Sequence, residues 1–178
     1  MKENELKILF RRVLLSGLAA KNIIADVEQG YQPTQQGINP QPTIFFYLIH
    51  NHRYGSPKRT DKYDRDNNVI IHTETQWWES QFQISAISHQ DPQDITSLTA
   101  GDLVSAASTI LQSERGLAEL KEGGAGIYRI TDVKTPYFKN DRDQSEQLPM
   151  FDITLTHKDI HVTETPTVES YSLNITGV

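Results

Sequence analysis

Between Trp78 and Ala86 the chain shows its clearest alternation, with Trp78, Phe82, Ile84 and Ala86 on one side and Glu79, Gln81, Gln83 and Ser85 on the other. Successive side chains of a strand point to opposite faces, so this segment reads as a β-strand with one apolar and one wet side. A sheet built on it needs a covering layer over one face only. Two amphipathic segments supply that layer. From Glu5 to about Val27, Leu6, Leu9, Phe10, Val13, Leu14, Ile23, Ile24 and Val27 recur near helical spacing, with Arg11, Arg12 and Lys21 between them and a bend expected near Gly17. Farther on, Thr99 stands three residues before Asp102, an acidic variant of the capping box, and Leu103, Val104, Ala107, Ile110 and Leu111 follow at helical spacing. This second helix is expected to run through Leu117 and Leu120 to the glycines at 123, 124 and 126.

The remaining segments read as strands and connections. Thr43 to His50 is a continuous apolar run bounded by Pro42, a buried strand. Asn51 to Asn68 is almost devoid of aliphatic residues and reads as a long exposed hairpin or loop that adds nothing to a core. GIYRITDV and MFDITLTHKDIHVTE form an antiparallel hairpin with a long polar tip at 134–149, and EQGYQPTQQGINPQP is a surface connection. The expected architecture is α+β, a mainly antiparallel sheet with one face covered by two helices and with long polar loops. A single domain spans 1–165, followed by a C-terminal arm, 166–178. In that arm Tyr171, Leu173 and Ile175 alternate, a pattern that fits a strand added to a neighbouring molecule.

Several function classes are disfavoured at once. The chain has no cysteine, so it has no disulfide, thiolate zinc site or cysteine nucleophile. Its net charge of −6 repels nucleic acid and anionic membranes on average. Lys7, Arg11 and Arg12 interrupt the first apolar stretch, which argues against a signal peptide, and no run approaches the roughly 20 apolar residues that span a bilayer; a soluble protein is expected.

No cluster assembles into a catalytic, cofactor or metal site. His50, Asn51 and His52 spell the letters of an HNH nuclease, but three consecutive strand residues cannot converge on one ion. His157 and His161 have a spacing that joins ligands on a helix, yet they lie in a β-alternating segment, and His72 with Glu74 supplies only two ligands. The glycines of KEGGAGIYR close a helix before a strand, the reverse of a dinucleotide fingerprint. Asp64 with Asp66, and Asp141 with Asp143, share mixed-charge loops with Arg65 and Arg142. Trp77 and Trp78 must face opposite sides of their strand. One enters the core under the second helix, and the other is covered on the outer face by the chain itself or by a neighbouring molecule.

An amino-terminal helix, the strand QPTIFFYL, the loop YGSPKRTDKYD, the strand HTETQWWESQFQISA, a capped helix leading into GIYRITDVKTPYF, and the closing FDITLTHKDI follow in that order. From about residue 5 to residue 165 this order resembles the neck or tail terminator family of tailed bacteriophages. The resemblance implies a structural virion protein, not an enzyme and without a cofactor. Such a protein is made in the host cytoplasm and assembles into a homo-oligomeric ring, a hexamer, that caps the tail tube and joins it to the neck. Its partners would be the tail tube protein and the neck connector or stopper proteins, with DNA passing through the ring without sequence-specific binding and with no membrane involved. The candidate subunit-interface residues are Arg53, Lys58, Arg59, Trp77, Trp78, Tyr137 and Arg142. Two other readings remain at this point: a head-tail stopper or tail-completion protein, and a metal-dependent nuclease using His50, His52 or the loop carboxylates.

Overall fold

A computed structural model describes residues 1–30, 41–88, 93–94, 96–139 and 145–168. In chain order these form α1 (Glu3–Ala20), β1 (Asp26–Gln29), β2 (Thr43–Asp64), β3 (Val69–Ile87), α2 (Ala100–Gln112), α3 (Glu114–Glu122), β4 (Ala125–Ile130), β5 (Tyr137–Lys139), β6 (Ser145–Gln147) and β7 (Met150–Pro166). The main sheet has the order β1-β2-β3-β7-β4. β1 runs parallel to β2 and the other neighbours are antiparallel, while β5 and β6 make a separate small hairpin. The fold is α+β, as the sequence indicates.

All three helices lie against the apolar face that the alternation marks out. Phe82, Ile84 and Ala86 of β3 are buried there with Ile44 and Phe46 of β2 and Phe151, Ile153 and Leu155 of β7. Phe10 of α1 closes this core. Its ring stacks on Phe82 at 5.4 Å and meets Phe46 edge-on at 5.4 Å, each such pair contributing about 0.5–1.5 kcal/mol beyond simple burial. None of the helices among the described residues is long and apolar enough to cross a membrane.

The helices depart from the expected boundaries for local reasons. α1 ends at Ala20 rather than near Val27. Asn22 adopts φ 55°, a left-handed conformation that stops a helix and that Asn accepts better than most residues. Ile23, Ile24 and Val27 keep helical spacing by coincidence, and Val27 enters the core from β1 instead. Gly17 serves a close helix contact: a Cβ there would fall 2.1 Å from Ile110 Cγ2 of α2. The expected second helix is two, α2 and α3, divided at Ser113, which has an extended backbone. Its hydroxyl donates to Ile110 O at 2.6 Å and accepts from Gly116 N at 3.0 Å, closing one helix and opening the next. The Thr99–Asp102 capping box forms as expected, with Asp102 N donating to Thr99 Oγ1 and Thr99 N donating to Asp102 Oδ2, both at 3.0 Å.

The largest departure is the polar stretch 51–68. It is an exposed hairpin, but one of regular strand: β2 continues through it for 22 residues, turns at 65–68, and pairs with β3 down to Asp64↔Val69. β7 follows β3 along the same length, to Pro166 opposite Val69. Three strands thus run past the helical layer as an arm. Apolar content does not decide this, because outside the interruptions in β2 the middle strand is paired with a neighbour on either side. At 3.3 Å per residue, β2 would measure about 70 Å if straight.

Candidate functional site

The ladder register fixes which side chains share a face of the arm. On the continuation of the core face lie Arg53, Arg59 and Asp61 of β2, His72, Glu74, Gln76 and Trp78 of β3, and Asp159 and His161 of β7. The polar groups here are paired across strands. Arg59 Nε donates to Glu74 Oε1 at 2.9 Å, and His72 bridges Asp61 Oδ1 at 2.8 Å and Thr165 Oγ1 at 3.1 Å. The Arg53 guanidinium lies 5.1 Å from the Trp78 ring centroid, and the two line a cleft of about 210 Å³ with Pro57, Glu74, Gln76, Asp159 and His161. The opposite face carries Tyr54, Lys58 and Lys62, then Trp77, Thr75 and Ile71, then Lys158, Ile160 and Val162. Lys158 Nζ stands 4.5 Å from the Trp77 centroid.

Two interruptions shape the arm. Ile49 is an extra residue between the Leu48 and His50 pairings, and residues 55–57 bulge opposite Gln76, with Gly55 at φ 66°. Gln76 Nε2 holds the second bulge by donating to Tyr54 O at 3.1 Å and Gly55 O at 3.3 Å. The tip is closed by Asp64, whose carboxylate accepts from Asp66 N at 3.0 Å and Asn67 Nδ2 at 2.8 Å; these hydrogen bonds hold its pKa below the usual value.

Five of the interface candidates, Arg53, Lys58, Arg59, Trp77 and Trp78, come together on this arm. Tyr137 is exposed at the start of the β5–β6 hairpin, away from them in the chain, and Arg142 lies outside the described residues, as does the Tyr171, Leu173, Ile175 stretch. Neither tryptophan enters the core. Trp78 is on the core face, as the alternation requires, but at position 78 the strand has already left the helical layer, so it is only half-buried; Trp77 is exposed on the other side. Alternation gives the face of a residue and leaves open how far the covering layer extends. Tyr54, Ile160 and Val162, also exposed here, escape sequence reasoning because only the three-strand register sets them beside Trp77.

The histidines behave as strand residues. His50 and His52 stack with 6.1 Å between centroids on one face, where they line a shallow recess of about 390 Å³ with Glu79, Gln81, Arg129 and Asp152. Asn51 points the other way and accepts from Ser80 Oγ at 3.0 Å. Among the described residues no three His, Asp or Glu side chains gather in a way that could hold a metal ion.

A helix-backed α+β sheet of this kind has a counterpart among solved structures. The chain is similar in fold to the sheath/tube terminator of PVC, an extracellular contractile injection system, determined by cryo-EM in the extended state. The match has a TM-score of 0.53 and 11% identity and covers 100% of this chain and 64% of that longer one. The family model of the E217 gateway protein gp29 matches residues 5–167, and the chain belongs to that family. The expected likeness to phage terminators is therefore borne out at the level of family and fold, over nearly the span expected. No curated protein sequence matches it.

Proposed function

We propose that this protein is a structural, non-enzymatic component of the phage virion that forms a homo-oligomeric ring, a hexamer, at the end of the tail tube and joins the tube to the head-side connector. The observation that carries this reading is the arm: three hydrogen-bonded strands that extend beyond the helices and carry Arg53, Lys58, Arg59, Trp77 and Trp78 on their two faces. A cooperative ladder keeps such an arm straight enough to reach a neighbour, and heterologous contacts of this kind close into rings. The family match supports a phage neck or tail role, and the fold neighbour, by its own name a terminator of sheath and tube, supports the placement at the tube end.

The acidic balance suits a subunit around a DNA channel, because a basic lumen would bind phosphates and slow transit. In this reading the tail tube protein and the neck proteins are its partners, and no cofactor takes part. The test is a phage carrying a nonsense codon in this gene, grown with and without the protein supplied in trans. Electron microscopy should show filled heads and unjoined tails in its absence, and joined particles with label at the head-proximal tube end when tagged protein is supplied. Normal joined virions without the protein, or label elsewhere on the particle, would exclude the reading.

A further inference from the structure

The sheet face turned away from the helices carries opposite chemistry at its two ends. At the arm, cross-strand rows run Tyr54, Trp77, Lys158; then Lys58, Thr75, Ile160; then Thr60, Thr73, Val162; then Lys62, Ile71, Glu164. Tyr54, Trp77, Ile160 and Val162 are exposed, and Lys58 and Lys62 make no ion pair among the described residues. Glu164 and the hydrogen-bonded Asp64 are confined to the tip. At the other end, Asp26 and Glu28 flank the buried Val27 in β1, so both project from the outer side of the edge strand, and both are exposed. Asp26 lies in a row with Thr43 and the exposed Ile87, near the exposed Ile24, and neither carboxylate has an ion pair among the described residues.

One end is therefore lysine with aromatic and aliphatic groups, and the other is carboxylate with aliphatic groups. From Thr43 to Lys62 the strand rise places them about 60 Å apart, too far to meet within one chain. We propose that they meet between chains: the Lys58/Lys62 face of the arm of one copy docks on the Asp26/Glu28 edge of a second copy. A two-fold contact of arm on arm would set lysine against lysine, and a reciprocal arm-on-edge pair would use up both ends in a closed dimer. A head-to-tail contact instead pairs each charge with its opposite and leaves the next pair of ends free for a further copy, as a ring requires. The inference rests on the ring reading above and names its contact.

The chain has no cysteine, so engineered ones report cleanly. A Lys58→Cys/Glu28→Cys variant, treated with a short bismaleimide as concentrated protein and as isolated tails, should give a ladder of linked multimers on both, and each single-cysteine variant should give none. Absence of the ladder in both samples overturns the contact, as does a dimer from Lys58→Cys alone. In parallel, Lys58→Glu/Lys62→Glu and Asp26→Lys/Glu28→Lys should each lose the higher oligomers in sedimentation while keeping wild-type Tm. An equimolar mixture should recover them, because each altered arm then finds an altered edge; a mixture that stays monomeric overturns the proposal. Failure of the terminator reading looks different: the ladder forms with purified protein, but labelled protein is missing from the tube end.

Discussion

His157 Nε2 lies 2.9 Å from Ser80 Oγ at the base of the arm, where β3 and β7 leave the helical layer and both residues are buried. Ser80 also donates to Asn51 Oδ1, which leaves its oxygen to accept from His157 and assigns the ring proton to Nε2. His157 Nδ1 has no hydrogen-bond partner among the described residues. Burial, reinforced by the nearby amino-terminal ammonium, depresses the pKa of this ring, against a smaller opposing effect of Asp159.

A histidine with a folded pKa below its unfolded value takes up protons preferentially when the protein unfolds. Its penalty is absent well above the unfolded pKa of about 6.5 and grows as pH falls below it. Stability of the wild-type protein should therefore decline between about pH 7 and pH 5. His157→Gln, which cannot titrate, should show a shallower decline in urea midpoints over that range. Parallel pH profiles would refute the assignment.

Phe10 joins the helical layer to two strands through a single ring. Phe10→Ala should cost about 3–5 kcal/mol, measured by urea unfolding, because it removes a fully buried ring and leaves a cavity beside Phe46 and Phe82. Phe10→Leu should lose much less.

At Gly17 two effects compete. Alanine in a helix gains about 1 kcal/mol over glycine, but the added Cβ would fall 2.1 Å from Ile110 Cγ2 and 3.1 Å from its Cβ, so the buried Ile110 side chain or the helices must shift to relieve it. The clash should win, making Gly17→Ala destabilising by about 1–3 kcal/mol. Combined with Ile110→Ala, it should cost less than the sum of the two single changes, and strict additivity in the double-mutant cycle would count against a direct contact.

Thr99 and Asp102 satisfy each other's backbone amides at the start of α2, and the Thr99 hydroxyl, which donates to Asp102 Oδ2 at 2.8 Å, together with the Thr99 N–H holds the Asp102 carboxyl below its usual pKa. Thr99→Ala should lower stability by about 1 kcal/mol at neutral pH. Since a depressed carboxylate pKa contributes stability that is present above the unfolded pKa and lost as pH falls through the folded one, the wild-type advantage over Thr99→Ala should shrink in acid. Thermal melts at pH 7 and pH 3 measure this directly.

Charge reversal at Lys58 and Arg59 separates assembly from folding. The Arg59–Glu74 pair is solvent-exposed, so its loss should change unfolding free energy by no more than about 1 kcal/mol. Head-tail joining in a complementation assay should nevertheless fall sharply. Normal joining by a stably folded double variant would remove the arm from the interface.

The sequence by itself determined the local terms. Strand alternation in 77–86 fixed which face of the sheet each residue takes, helical spacing in 103–111 fixed the packing side of α2, and Thr99 with Asp102 fixed its start, because each depends on side chains only a few residues apart. The family resemblance was legible for the same reason, carried by short ordered segments. What tertiary structure alone decided was reach and company. Residues 51–64 carry no apolar pattern that calls for a strand, yet β3 takes up their backbone hydrogen bonds and β7 takes up those of β3 in turn. The same pairing carries Trp78 past the helical layer and sets Ile160 and Val162, more than eighty residues along the chain, beside Lys58 and Trp77. Such neighbours are chosen by register between distant strands, a non-local quantity that no window of sequence contains.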